Sequence, residues 1–164
     1  LGADGVVFGC LTADGEVDLT SMQILMEASK GLSVTFHRAF DVCRNPQKAL
    51  EEIIELGCNR ILTSGQQPTA EQGIGLLKEL QGLAAGRITL LAGCGVNENN
   101  IARIAAETGI NELHFSARES IQSEMKFRNE VVSMGGTVHI NEYERNVTSV
   151  RRVKETVEAL YKGM

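Results

Sequence analysis

Ser33 to Ala39, SVTFHRA, puts Val34 and Phe36 on one side of an extended chain and Thr35 and His37 on the other. Two later runs divide in the same way. Glu112 to Ala117 (ELHFSA) sets Leu113 and Phe115 against His114 and Ser116, and Arg87 to Gly95 (RITLLAGCG) sets Ile88, Leu90 and Ala92 against Thr89, Leu91 and Gly93. One face is uniformly apolar; the other turns polar toward the C-terminal end. Strands covered by helices on both faces are usually apolar throughout. The polarity therefore predicts an arc of a (β/α)8 barrel, whose outer strand face meets helices and whose interior opens into a wetter mouth, over an open doubly wound sheet.

Working outward, Gly5 to Leu11 (GVVFGCL) and Arg60 to Gly65 (RILTSG) complete a set of five short strands. Their starts lie 28, 27, 27 and 25 residues apart, and amphipathic patterns fill the gaps, so the chain reads as successive βα units with a parallel sheet. The helices are punctuated. Asn45-Pro46 opens one with the stripe Ala49, Leu50, Ile53, Ile54 and closes at Gly57; Asn97 is expected to cap another through Ile101, Ile104 and Ala105 to Gly109; Thr148 is expected to cap the last. Asp18 or Thr20 starts the helix containing Met22, Leu25 and Met26, and Thr69 to Gly86 is expected to be helical despite Gly73, Gly75 and Gly82. The cadence of LGCNRILTSG and TGINELHFSA, in which a glycine closes a helix just before a strand, recurs at Leu1-Gly2. The chain is thus expected to open on the tail of a helix.

Of the 164 residues, 43% are hydrophobic and 23% charged, which suits one globular domain. No apolar run approaches the roughly 20 residues of a bilayer span, so no membrane partner and a cytoplasmic location are expected. A net charge of -5 argues against nucleic acid. Cys10, Cys43, Cys58 and Cys94 lack CxxC or secreted-framework spacing and read as free thiols.

In a β/α barrel the loops after the strands build the site. That places His37, Arg38 and Asp41, then Thr63, Ser64 and Gly65, then Gly93 to Gly95, then His114, Ser116 and Arg118 around one mouth. His37 and His114 suit proton carriers or imidazole ligands, or simply hydrogen-bonded histidines. Asp41 suits orienting a histidine, accepting from Arg38 or Arg44, or stabilising a turn, and Arg38 suits a structural ion pair. Gly93 and Gly95 let backbone amides approach an anion, with Arg118 as complement, or serve only a tight turn. Arg118 to Asn146 forms a long connection in which MKFRNEVVSMGG is read as helical, with Met125, Phe127 and Val131 or Val132 over the mouth and Glu142 and Tyr143 bonding Arg118 or Arg128. His139 is read as a loop residue.

Five ordered blocks carry a family resemblance: VTFHRAFD at Val34 to Asp41, RILTSGQ at Arg60 to Gln66, AGCGV at Ala92 to Val96, LHFSAR at Leu113 to Arg118, and MKFRN followed by EY and VT at Met125 to Thr148. Together they resemble the CutC family, named for copper homeostasis. The resemblance implies a (β/α)8 barrel of which residues 1–164 supply the C-terminal part, strands four to eight with their helices. It implies cytosolic copper binding or handling, for which thiolates are the natural soft ligands. Cys10 and Cys94 lie near strand ends and are the metal candidates, although parity puts both on the helix-facing side, where a buried free thiol is the alternative. The rival expectation is an enzyme acting on a small anionic or phosphorylated metabolite at the mouth. Five of eight strands cannot close a barrel, so inner-face residues such as Val7, Leu11 and Leu91 should need cover, and a homo-oligomer is expected.

Overall fold

The computed structural model describes residues 2–129, 131–132, 134–135, 137–138 and 140–162. His139 and Leu1 lie outside the described residues. Five strands, β1 (Gly5–Phe8), β2 (Ser33–Phe36), β3 (Arg60–Thr63), β4 (Thr89–Gly93) and β5 (Glu112–His114), form one parallel sheet in the order β1-β2-β3-β4-β5. A doubly wound sheet would reverse its strand order at a switch point. Here each strand adds beside its predecessor, so right-handed crossovers carry every helix to the same side. The architecture is α/β, with the strand order that βα-barrels use.

The helices are α1 (Leu19–Ala28), α2 (Pro46–Glu55), α3 (Ile74–Ala84), α4 (Ile101–Thr108) and α5 (Val150–Lys162). The Asp18 carboxylate accepts the Ser21 N–H at the start of α1, and the Asn45 side chain accepts the Lys48 N–H before Pro46 in α2, satisfying amides that a helix end leaves unpaired. Their inward stripes meet the sheet. Val34, Phe36, Ile61, Leu90 and Ala92 from the strands and Met22, Leu50, Ile53, Leu77, Leu80, Ile101 and Ile104 from the helices form one buried core. The opposite sheet face carries the other parity. Val7 is 62% exposed there, and Leu11, Leu62 and Leu91 are partly exposed.

Three predicted helix starts shift. The helix expected from Thr69 begins at Ile74, because Gly73 is wedged against the preceding loop: a Cβ on it would lie 1.9 Å from the Ser64 carbonyl oxygen. Asn97 opens a separate turn by accepting the Asn99 N–H, and Asn100 occupies the cap position of α4. Thr148 ends a strand, and the Ser149 hydroxyl accepts the Arg152 N–H at the start of α5.

The long connection also departs from expectation. It forms an antiparallel hairpin, β6 (Arg118–Gln122) with β7 (Glu144–Thr148), and no helix occurs among its described residues. Met125, Phe127, Val131 and Val132 do not cover the mouth; they are 56%, 73%, 94% and 51% exposed. Without an apolar surface to pack on, the amphipathic pattern has nothing to stabilise a short helix.

Candidate functional site

The chain turns sharply where β2 ends. The His37 Nδ1 accepts the Ala39 N–H, and a single 3-10 turn, Arg38–Val42, brings Asp41 back over β3. The Asp41 carboxylate, 7% exposed, accepts the Thr63 hydroxyl at 2.6 Å, the Ser64 N–H and hydroxyl, and the Gln66 N–H. It also takes the Arg38 Nε–H at 2.6 Å, while Arg38 Nη2 donates to the Ser64 hydroxyl at 2.9 Å. The hydrogen bond to Asp41 holds the Arg38 proton more firmly than in a free guanidinium. Thr63, Ser64 and Gly65 are buried and hydrogen-bonded within this turn.

Next to it lies a cavity of about 470 Å³ at the C-terminal ends of β3, β4 and β5, lined by Arg38, Cys94, Gly95, His114, Ser116 and Arg118 among others. That size suits a small ligand. Gly93 permits its floor, because a Cβ there would lie 2.7 Å from Leu62 Cδ1 and 3.3 Å from His114 Cβ. Cys94 does not continue the helix-facing parity. Its φ of 78° breaks the strand alternation and brings it to the cavity, with the thiol donating to the Pro68 carbonyl at 3.1 Å.

His114 lines the cavity and is exposed. His37 is half-buried and sits against Gly9 at the β1 side, where a Cβ on Gly9 would lie 2.9 Å from its Nδ1. Neither ring lies beneath the helices, but only His114 is among the lining residues. Cys10 follows β1 and Cys94 follows β4, three strand spacings or roughly 14 Å apart. Among the described residues, no group of three His, Cys, Asp or Glu side chains is gathered as a metal site. Cys94 and His114 are the soft and borderline donors that share a cavity.

Two residues escaped the sequence reading. Arg152 of α5 lines the cavity and donates through Nε and Nη2 to Glu98 at 3.1 and 3.0 Å, and through Nη1 to the Arg118 carbonyl. That pairing lowers the Glu98 pKa, chiefly by hydrogen bonding. A signal existed: Arg151 and Arg152 stand in the first turn of α5, where cations oppose the helix dipole, so an acidic partner elsewhere was called for. Of the hydrogen bonds expected from Glu142 and Tyr143, Tyr143 instead stacks under Arg128, at 4.9 Å from the guanidinium carbon to the ring centre. Glu142 accepts the Met134 N–H.

The comparisons with known proteins agree with this fold. The model of the CutC family matches residues 1–119. A family protein CutC of Bacteroides thetaiotaomicron is 77% identical over 160 residues, covering 98% of this chain and 64% of its own length. One from Chromobacterium violaceum is 46% identical and covers 99% of this chain. A crystal structure of CutC from Streptococcus agalactiae, named as a candidate copper homeostasis protein, superposes with a TM-score of 0.65 at 33% identity, over 68% of this chain and 55% of its own. The chain spans 64% of the length of the first curated relatives it matches. No helix among the described residues is long and apolar enough to cross a membrane. With a family model covering most of its length and relatives this similar, the chain belongs to the CutC family.

Proposed function

We propose that this chain binds a small anionic or phosphorylated metabolite in the cavity at the C-terminal ends of its strands. One observation carries the reading: guanidinium groups from three separate elements, Arg38, Arg118 and Arg152, line the same cavity, which also contains the Cys94-Gly95 turn. A second cavity, between α4, β5 and α5, is lined by Ala102, Ala105, Ala106, Ile110, Leu113 and Leu160, with Asn111 as its polar residue, and offers an anion nothing comparable. The reading takes the five βα units as the fourth to eighth of an eight-unit barrel in the cytosol, with a second copy or the remaining units against the exposed sheet face around Val7. Titration with inorganic phosphate, followed by calorimetry, tests it. Saturable binding that Arg118→Gln abolishes is expected; heat indistinguishable from dilution at millimolar phosphate would end the reading.

A second reading, copper handling in keeping with the family's association with copper homeostasis, is favoured by one observation: Cys94 and His114 line the same cavity. Thiolate selects Cu(I) over harder cations, and imidazole is an acceptable companion. Copper would then be cargo held by two side chains. Competition against a Cu(I) chelator should give one tight site lost in Cys94→Ser and in His114→Ala. Stoichiometric loading that ignores both substitutions would exclude this site.

A further inference from the structure

We propose that the ligand of this cavity carries two anionic groups: a phosphate monoester, seated by Arg118 with the Gly95-Val96 turn, and a carboxylate, seated by Arg38. The proposal rests on the anion reading above and specifies it. The three arginines are not equivalent. Arg152 is committed to both Glu98 oxygens and to the Arg118 carbonyl, so it forms a wall. Arg38 gives Nε to Asp41 and Nη2 to Ser64, which fixes its plane; the Cys94 sulfur also lies within reach of the guanidinium, and Nη1 makes no hydrogen bond to an oxygen of a described residue. Arg118 is exposed, and its guanidinium has no hydrogen-bond or ion-pair partner among the described residues. Two of the three cations are thus neutralised in place, and the free charge sits at the Arg118 end.

That end also holds surplus donors. The Gly95 and Val96 N–H groups donate to no acceptor among the described residues, although Val96 is only 6% exposed. Buried amides are nearly always paired, so the Val96 N–H lacks the acceptor its burial calls for, and the exposed Gly95 N–H stands beside it. Gly95 is required there: its φ is +74°, and a Cβ would lie 2.9 Å from Thr69 Cγ2. One guanidinium fork already satisfies a carboxylate; a fork plus two amides matches the three oxygens of a phosphoryl group. The Arg38 end offers a single free edge, enough for a carboxylate. Arg38 lies two residues beyond β2 and Arg118 opens β6 just after β5, and the ends of β2 and β5 are three strand spacings or roughly 14 Å apart along the sheet. With both long side chains reaching inward, the two anionic groups must be joined by a short linker, which Leu62 and Phe115 would flank.

Calorimetry on the whole chain with 3-phosphonopropionate and with propylphosphonate, which lacks the carboxylate, separates the possibilities. The two-headed probe should bind about tenfold more tightly, as one added charge-assisted hydrogen-bonded contact implies. Arg38→Met should erase that advantage while leaving propylphosphonate unchanged, and Arg118→Gln should weaken both probes. Should Arg38→Met fail to fold, amide resonances of the unsubstituted chain supply the readout: Gly95 and Val96 should shift with either probe, and the Arg38 Nε–H with the two-headed one alone. Equal affinity for both probes, still sensitive to Arg118→Gln, would overturn the two-headed assignment and leave the anion reading standing. Absence of binding by either probe and by inorganic phosphate would overturn both.

Discussion

From Gly5 to Ala117 the chain alternates strand and helix around a shared core, whereas from Arg118 to Thr148 no described residue is buried. The two regions differ in what holds them. In the first, each helix stripe removes apolar surface from water against a strand face, the dominant favourable term in folding. In the second, the β6–β7 ladder is supplemented by exposed bonds from Ser120 and Gln122 to Glu144 and by Arg128 over Tyr143. Such contacts contribute little each, because water competes for every partner. The family model ends at residue 119, where this exposed stretch begins; burial resumes at Ser149 and at Thr156 of α5.

The contrast is open to measurement. Phe36, wholly buried on β2, should cost about 3 to 5 kcal/mol on replacement by Ala, while Phe127→Ala, 73% exposed on the hairpin, should stay within about 0.5 kcal/mol. Denaturant midpoints decide; similar losses at both sites would break the distinction. Next in size is a pH effect confined to the core. Burial pushes the Cys58 thiol up to about 11, from an ordinary 9.0. Between those values the unfolded chain has lost a proton that the folded chain keeps, so stability should fall as pH rises from 9 to 11, by about 2 kcal/mol, and Cys58→Ala should flatten that slope. Equal slopes with and without the thiol would refute it. Asn45→Ala should remove about 1 kcal/mol by exposing the Lys48 N–H at the start of α2, seen as a lower thermal midpoint. Smallest of all, Glu144→Ala in the hairpin should change global stability by no more than about 0.5 kcal/mol, despite deleting two side-chain bonds. A larger loss would mean that the hairpin shares in the core's cooperativity.

The same contrast explains what could be read from the residues beforehand. Alternation at Val34, Thr35, Phe36 and His37 is a consequence of burial on one face, so it told strand, face and sheet type together. Asn45-Pro46 and Gly57 were legible because capping is local chemistry. The pairing of Arg38 with Asp41 was visible as spacing, but the reach of Asp41 to Thr63, Ser64 and Gln66 was not, because it depends on where a turn after one strand lands on the next. Cys94 was misplaced for a related reason: one residue with positive φ inverts every parity argument beyond it. The hairpin was read as a helix because Phe127 and Val131, and Met125 and Val132, recur at intervals of four and seven, and spacing is silent about whether a surface exists to receive it.

The simple strand order has a kinetic side. Substantial packing within the sheet and among helices α2 to α5 runs only between neighbours: β1 with β2, β2 with β3, β3 with β4, β4 with β5, and α2 with α3, α3 with α4, α4 with α5. A molecule connected in this way resembles a row of coupled units, in which an end unit has one neighbour to lose and a middle unit has two. Opening then propagates from the flanks. Amide exchange should be fastest in β1, which alternates exposed and half-buried positions, and slowest in β3, which stands at the centre of the row.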